Sequence, residues 1–584
     1  MSWPYLTRVK VKLIMKLRKI DIIGVALLLL FSCNRKELDQ LKGSLSVEET
    51  KTSLLQNSSN GTLITKIDTS ASSNSLALHY ENGSIVTINK NYFTGIQPNL
   101  MQWVTQFSFT DGTIISAFST GKLNLQDSVV INPYGTAPLC AFAKFDMPVK
   151  GRFNIIVQAK PNGGISISHS FSNYSYHQEL QILGLYDNYA NHVEFQFVNS
   201  SGFIRATQIV TLQTVALPNK PIITIKKNLL SQSDVSIYSV SLGGPYGFDQ
   251  NGEIRWYYTG DFWYSYGKLK NGNLIASSGL NTLLGQFSPA LNEISMLGES
   301  IRHYIIPNYQ HHDVWEMPNG NFLIGTNSTS TPAFNGVPLQ DVVVEINRSS
   351  GSVVRTWNFN NILDPKRTFI PDAVGSSDWL HMNRVSYNSV DNSIIISSRS
   401  QSAVVKIDYE TSQIKWILSN PNLWNSQLSQ YLLIPVNLNG EEINVDSIDF
   451  WPYGQHHPWQ LSNGNILLYD DGDYRGFYDN PNVPLKSYSR ALEYKLDEVN
   501  RTIQLVWSFN NNKSIFTQYT GSVEQFDASN TRMIGFMDGG PNVVGEAPKI
   551  LEIDSQNNTV FEANVNLGSF YYRAMKMDLY SGIH

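Results

Sequence analysis

The sequence predicts an all-β protein, a six-bladed β-propeller preceded by an N-terminal β-sandwich domain. Three observations predict it. First, a hairpin pattern recurs: KLKNGNLIAS (268–277), EMPNGNFLIGTN (316–327) and QLSNGNILLYD (460–470), with DNSIIISSR and ASNTRMIGF as degenerate copies. Asn-Gly supplies the positive φ angles of a tight type I′ turn, so each copy reads as strand, turn, strand. Second, most copies are followed by another hairpin, often ending in Trp: DVVVEINRSSGSVVRTW, SAVVKIDYETSQIKW, RALEYKLDEVNRTIQLVW and KILEIDSQNNTVFEANV. Two hairpins make a four-stranded blade, and about six such units fit the length. Third, the stretch before the repeat alternates polar and apolar residues in short runs, such as SIVTINKNYF and GRFNIIVQAK, separated by ENG, NPYG, PNGG and NSSG turns. That is the pattern of an antiparallel sandwich, or of two small ones in series.

In chain order, residues 1–33 read as an export signal. Arg8, Lys10, Lys12, Lys16, Arg18 and Lys19 precede the apolar run IDIIGVALLLLFSC, which is short for a membrane span, and Met15 is an alternative start. Leu30-Phe31-Ser32-Cys33 resembles a bacterial lipobox, which makes Cys33 the lipidated first residue of a mature lipoprotein; the alternative is an ordinary export signal in which Cys33 is incidental. The expected location is therefore the periplasmic side of a bacterial membrane or the outer membrane, with attachment through the lipid. Cys140 is the one other cysteine, so no disulfide is expected. Residues 34–60 are polar and rich in Ser, Asn and Lys, and read as a flexible tether. The sandwich is assigned to 61–218, Pro218 and Pro221 mark a boundary, and the propeller takes 230–584.

The net charge is −5 with 16% charged residues, and no basic cluster lies beyond the N-terminus, so a nucleic-acid partner has no electrostatic footprint. Aromatic residues at 12% agree with a β-rich chain.

The repeat places the histidines. His312 lies seven residues before Asn319, and His456 lies seven before Asn463, so the two occupy equivalent places in two blades. His381 precedes the same kind of strand. If these strands are innermost, the three imidazoles converge at one mouth of the channel. The second strand of each hairpin runs back antiparallel, so Arg399 should return to His381, while Asn327, Asp470, Asp471 and Arg475 border the same rim. A single histidine before a strand is usually a loop or core residue; three at equivalent positions beside an arginine point to a site. A metal centre is the rival reading, since neutral imidazoles bind zinc or copper. No carboxylate or cysteine shows ligand spacing, and alternation lets only one of His456 and His457 face the channel readily. No metal and no cofactor are therefore expected. The DDGDYR run lacks the distal Glu of a calcium loop and reads as a turn.

At these residues the chain resembles a known family. HHDVWEMPNGNFLIGTN, DWLHMNRVSYNSVDNSIIISSRSQSAVVKIDYETSQIKWIL, GQHHPWQLSNGNILLYDDGD and YSRALEYKLDE are similar to segments of the bacterial arylsulfate sulfotransferases, and the likeness extends from about Asp127 to Tyr580. The resemblance implies a six-bladed propeller that moves a sulfuryl group from a phenolic sulfate to another phenol without a nucleotide donor. It implies His456 as nucleophile, with His381, Arg399 and His312 as further catalytic residues and Asn383 beside the substrate. The residue after His456 is a second histidine, His457, where the family carries a small polar residue; it is expected beside the substrate with Asn383. The disulfide that enteric relatives carry near the site has no counterpart, and a homodimer through the N-terminal domain is left open. Tyr453, Trp451 and Phe369 are candidates to sandwich a phenol ring, with packing an equal explanation. The readings that compete with transfer are a lipid-anchored binding module without catalysis and a sulfatase that uses water.

Overall fold

The computed structural model describes residues 45–69, 74–231, 235–240, 245–262, 266–278, 288–327, 341–371, 378–443, 449–477, 488–566 and 569–583. The expected signal segment, Cys33 and the first part of the expected tether lie outside the described residues.

The later part of the expected tether is a helix, Val47–Ser59. A capping box explains it: Ser46 Oγ accepts from the Glu49 amide, and the Glu49 side chain accepts from the Ser46 amide. Leu54 then buries itself with Leu76, Leu78, Ile88, Phe107 and Ile115 of two three-stranded sheets, Ile64–Asp68 to Ile85–Asn89 and Phe93–Asn99 to Ile114–Phe118. Polar composition suggested a tether, but a cap and a single buried leucine suffice to seat a short amphipathic helix.

A second sandwich follows. Its long strand Cys140–Val157 belongs to two sheets: the first half pairs with Val129–Ile131 and Ser175–Leu183, and the second with Ile167–Ser170 and Ala190–Val198. Buried polar contacts dock it on the ring that follows. Arg255 donates to Gly184 O at 2.7 and 3.0 Å and to Asp249 Oδ2 at 2.8 Å, and Leu183 N donates to the Tyr580 hydroxyl at 2.8 Å.

The ring is a propeller of antiparallel sheets. Ile237–Val240, Tyr246–Asp249 and Ile254–Tyr257 make one sheet with the C-terminal strand Ala574–Met577. A seven-stranded sheet then contains two units that share the strand Ser300–Glu316, whose first half pairs with Ser288–Ile294 and whose second half pairs with Phe322–Thr326. Met382–Asn388 to Ile414–Ser419 make the next unit, and His456–Gln460 to Thr502–Phe509 the one after it. Gly521–Phe526 to Thr559–Val565 follow, with Ile223–Asn228 paired on their outer edge. Among the described residues the pairing thus groups the strands into six four-stranded units. Their inner strands succeed one another around an axial channel. Trp357 and Trp416 are buried in core clusters of this ring, as side chains that pack between sheets should be.

The Asn-Gly hairpins are present, but their turns differ from type I′. Gly272, Gly320 and Gly464 have φ of 87, 83 and 86°, whereas Asn271, Asn319 and Asn463 do not adopt positive φ. Gly272 N donates to Leu269 O, and Leu269 N to Asn273 O, giving a three-residue loop closed by a bulge at the glycine. The asparagine stays right-handed because its side-chain Oδ1 accepts from the backbone amide two residues on, at 3.1, 3.0 and 2.9 Å in the three copies. A Cβ on Gly320 meets nothing within 4 Å, whereas one on Gly272 would lie 2.8 Å from Ser581 O. Gly320→Ala is therefore expected to cost only the left-handed penalty of about 1–2 kcal/mol. Gly272→Ala should cost more, because it also displaces the C-terminal segment; urea unfolding of the two variants checks the order.

Candidate active site

Each inner strand starts at one mouth of the channel and runs toward the Asn-Gly turns at the other. His456 opens its strand, and the preceding Gln455 fixes where it starts: the Gln455 amide donates to Ser397 Oγ, Ser398 O and Ala403 O of the neighbouring unit at 3.0–3.1 Å. His456 Nδ1 lies 2.6 Å from Asp471 Oδ2, with both side chains buried. Asp471 immediately follows the partner strand Ile466–Asp470, so one hairpin supplies both members of the pair. With the carboxylate accepting from Nδ1–H, the Nε2 lone pair of His456 is left available.

The other predicted groups gather at the same mouth. His381 Nδ1 lies 2.6 Å from Asp378 Oδ2, and Arg399 N donates to His381 O at 3.1 Å, as the antiparallel return requires. Arg399 Nη2 donates to Asp473 Oδ2 at 2.6 Å, and its guanidinium lies 4.9 Å from the Tyr519 ring centre. The His312 ring is 4.9 Å from His381 and 5.2 Å from Tyr572, which in turn is 6.3 Å from His456.

Strand alternation alone would not aim these side chains so. His312, His381 and His457 have φ of 61, 44 and 52°, and the ladders are irregular between Gln310 and Val314, Met382 and Arg384, and His456 and Trp459. Bulges of this kind turn successive residues away from strict alternation. Hence both members of the 456/457 pair are used, at different levels of the channel. His456 meets Asp471; His457 Nδ1 lies 3.0 Å from Val523 O and its ring lines a cavity on the hairpin side.

Burial lowers the His456 pKa well below the ordinary imidazole range, and the positive charges of Arg399 and His381 lower it further. Burial raises Asp471 despite the nearby Arg399. Both directions work against a charged pair, so burial favours the neutral form of the His456 imidazole.

Asn383 sits beneath the mouth: its Nδ2 donates to Gln455 O at 2.8 Å and its carbonyl accepts from the Tyr572 hydroxyl at 2.6 Å. Asp470 fastens the flanking loops rather than facing the channel, accepting from Tyr453 N, Gly472 N, Arg475 and Arg490. Asn327 bonds Asn308 O. For Trp451, Tyr453 and Phe369 the packing alternative fits: each is 1% exposed and lies in the core with Phe450, Leu468 and Tyr494, Phe369 with its ring 6.1 Å from that of Tyr453.

Sequence reasoning missed the partners. Asp471 was placed on the rim without a role, and Asp378, Asp473, Tyr519 and Tyr572 were not singled out. One signal existed for Tyr572, which precedes the strand Ala574–Met577 much as His381 precedes its own. Among the described residues, no group of three or more His, Cys, Asp or Glu could hold a metal ion.

Comparison with known proteins places these segments. The family model described as Arylsulfotransferase (ASST) matches residues 213–573, well over half of the chain, and the Arylsulfotransferase Ig-like domain matches 128–215. The arylsulfate sulfotransferase AssT of Escherichia coli O6:H1 is 27% identical over 540 residues, covering 74% of this chain and 89% of that protein. The AssT of Lelliottia amnigena is 25% identical over 560 residues, covering 77% and 92%. Among solved structures, the Dos1 propeller aligns over 70% of this chain and 88% of its own at 10% identity, with a TM-score of 0.28.

The charge balance around His456 is directly testable. Arg399 is the largest charge that holds the imidazole below its usual range, so Arg399→Ala should move the His456 titration upward in pH, and Asp471→Asn should abolish the Nδ1–H tautomer. Nitrogen NMR of histidine-labelled protein between about pH 5 and 8 reads both.

Proposed function

The chain belongs to the arylsulfotransferase family, an enzyme family of aryl sulfotransfer, and from that premise we propose a two-step transfer through a sulfated His456. The His456–Asp471 pair is the observation that carries this reading: it leaves a neutral Nε2 facing a mouth that also holds Arg399, His381 and His312.

Nε2 of His456 attacks the sulfur of a phenolic sulfate ester, and the bond from sulfur to the aryl oxygen breaks. The departing phenolate takes a proton from the His381–His312 side of the mouth, where Asp378 orients His381 through its Nδ1 at 2.6 Å. A second phenol then binds, returns that proton, and attacks the sulfur, which frees His456. Sulfuryl transfer resembles phosphoryl transfer in its loose transition state, so positioning and charge stabilisation do most of the work. Arg399 offers a planar fork to the equatorial oxygens, and Asp473 holds that fork in place. A neutral imidazole is a competent nucleophile and a good leaving group once sulfated, so one difficult displacement becomes two easier ones.

We extend the proposal to location: the sequence of residues 1–33 supports export and lipid attachment at Cys33.

Turnover of p-nitrophenyl sulfate by protein lacking residues 1–33 should be stimulated by added phenol and vanish in His456→Ala. Equal release with and without phenol would assign water as the acceptor and displace the transfer reading. Loss of one preorganised donor typically costs about 10²–10³ in rate, which is the expectation for Arg399→Ala with the fold retained. Turnover near the wild-type level would remove Arg399 from the mechanism. Because burial and Arg399 depress the His456 pKa, the acid limb of kcat/KM should lie below the ordinary histidine range and rise toward it in a residually active Arg399→Lys variant only if the charge is displaced from His456.

A further inference from the structure

The residues next in sequence to the mouth face the other way along the axis. Asp313, Arg384, His457 and Arg573 follow His312, Asn383, His456 and Tyr572, and they form a layer below the mouth. Asp313 accepts from Arg384 Nη1 at 2.9 Å and from Arg573 Nη2 at 2.8 Å, so one carboxylate serves two buried guanidiniums. That layer is the floor of a cavity of about 380 Å³ on the hairpin side, walled by Arg384, Arg573, His457, Glu524, Trp315 and Trp459 among others. Of these, Arg573 and His457 also influence His456 through space, while Glu524, Trp315 and Trp459 belong to the chamber.

Three features bear on what the chamber holds. The Arg384–Asp313–Arg573 triad sets two guanidiniums on one carboxylate, with the Glu524 carboxyl facing both. Arg384 is 6% exposed, and its Nε has no partner. Trp315 and Trp459, both partly exposed, add flat apolar walls, with Met575 and Val314 beside them. A cation at the floor with aromatic walls suits a ligand that has an anionic head and an apolar body. The volume is that of a small organic molecule rather than of a bare ion.

We propose that this chamber is a second binding site, separate from the His456 mouth, for a small organic anion whose head meets Arg384 and Arg573 and whose apolar body lies between Trp315 and Trp459. The proposal does not depend on the transfer chemistry, since a non-transferable sulfonate serves as the ligand.

Glu524 sets the chamber's response to pH. Burial pushes its carboxyl up to about 7, against the Lys576 amide at 3.3 Å and the charges of Arg573, Arg384 and Lys576 that face it. His457 is held neutral by burial, and Lys268, elsewhere on the wall, is pushed down to about 8. Between about pH 6 and 7.5 Glu524 is thus the group that changes charge, gaining a negative charge beside the anion as pH rises.

The test uses 4-bromobenzenesulfonate, with inorganic sulfate as the comparison arm. Crystals soaked in the bromo compound should show the bromine in the chamber between Trp315 and Trp459. In solution, calorimetry on an Arg399→Ala background should give an affinity that weakens roughly tenfold from about pH 6 to 7.5, whereas Glu524→Gln should hold the tighter value throughout. Sulfate alone should bind much more weakly. Bromine found only at the His456 mouth, or in the chamber with no measurable binding in solution, would overturn the proposal. So would affinities that are the same in Glu524→Gln and its parent at both pH values. A folded Trp459→Ala variant with undiminished affinity would remove the aromatic wall from the argument and with it the organic ligand.

Discussion

Asp313 is the interaction on which the middle of the ring depends. Its two carboxylate oxygens accept from Arg384 and Arg573, residues 71 and 260 positions away, and so join the inner strands of two neighbouring sheets to the chain's last strand. A buried carboxylate that loses its partners, or guanidiniums that lose theirs, cost about 3–5 kcal/mol, so the three are retained or lost together. Their neighbours in sequence, His312, Asn383 and Tyr572, are placed by the same bond. Tyr572 then ties the level above by donating to Asn383 O. The axis is therefore layered: a mouth that gathers His312, His381, His456 and Arg399, a charged floor, and a chamber beyond it.

Above the floor, basic groups are held by aspartates. His456 has Asp471, His381 has Asp378 and Arg399 has Asp473, at 2.6 Å in each case. A buried polar cluster is stable only when its members satisfy one another, and these pairs do so while fixing tautomer and direction. The donors are thus oriented before any substrate arrives, which is how preorganised sites avoid reorganisation during reaction. Two of the three aspartates come from the loop 471–475, which Asp470 fastens through four hydrogen-bond donors.

Much of this was legible in the sequence, for a physical reason. Turn residues at fixed offsets mark strand ends, and strand ends in a repeat are equivalent in space, so His312, His381 and His456 could be assigned to one mouth and Arg399 to its edge. What could not be read depends on local backbone choices that no spacing encodes. The Asn-Gly loops keep asparagine right-handed because its side chain caps the loop, an option that the dipeptide alone does not reveal. The bulges at His312 and His457 break alternation, so the expectation that only one of 456 and 457 faces inward failed. For Trp451, Tyr453 and Phe369 stacking on a ligand and packing were equal readings, because aromatic type does not reveal burial; all three lie in one core cluster. The helix Val47–Ser59 was hidden by polar composition, although its Ser46-to-Glu49 cap was present in the sequence.

The strand Ala574–Met577 closes the first sheet, and the two residues just before it complete the mouth and the floor. Closure of the ring and assembly of the site are therefore one event: while Ala574–Met577 is unpaired from Ile237–Val240, Tyr572 is not held against His312 and Arg573 is not held on Asp313, so an open ring is also an incomplete site.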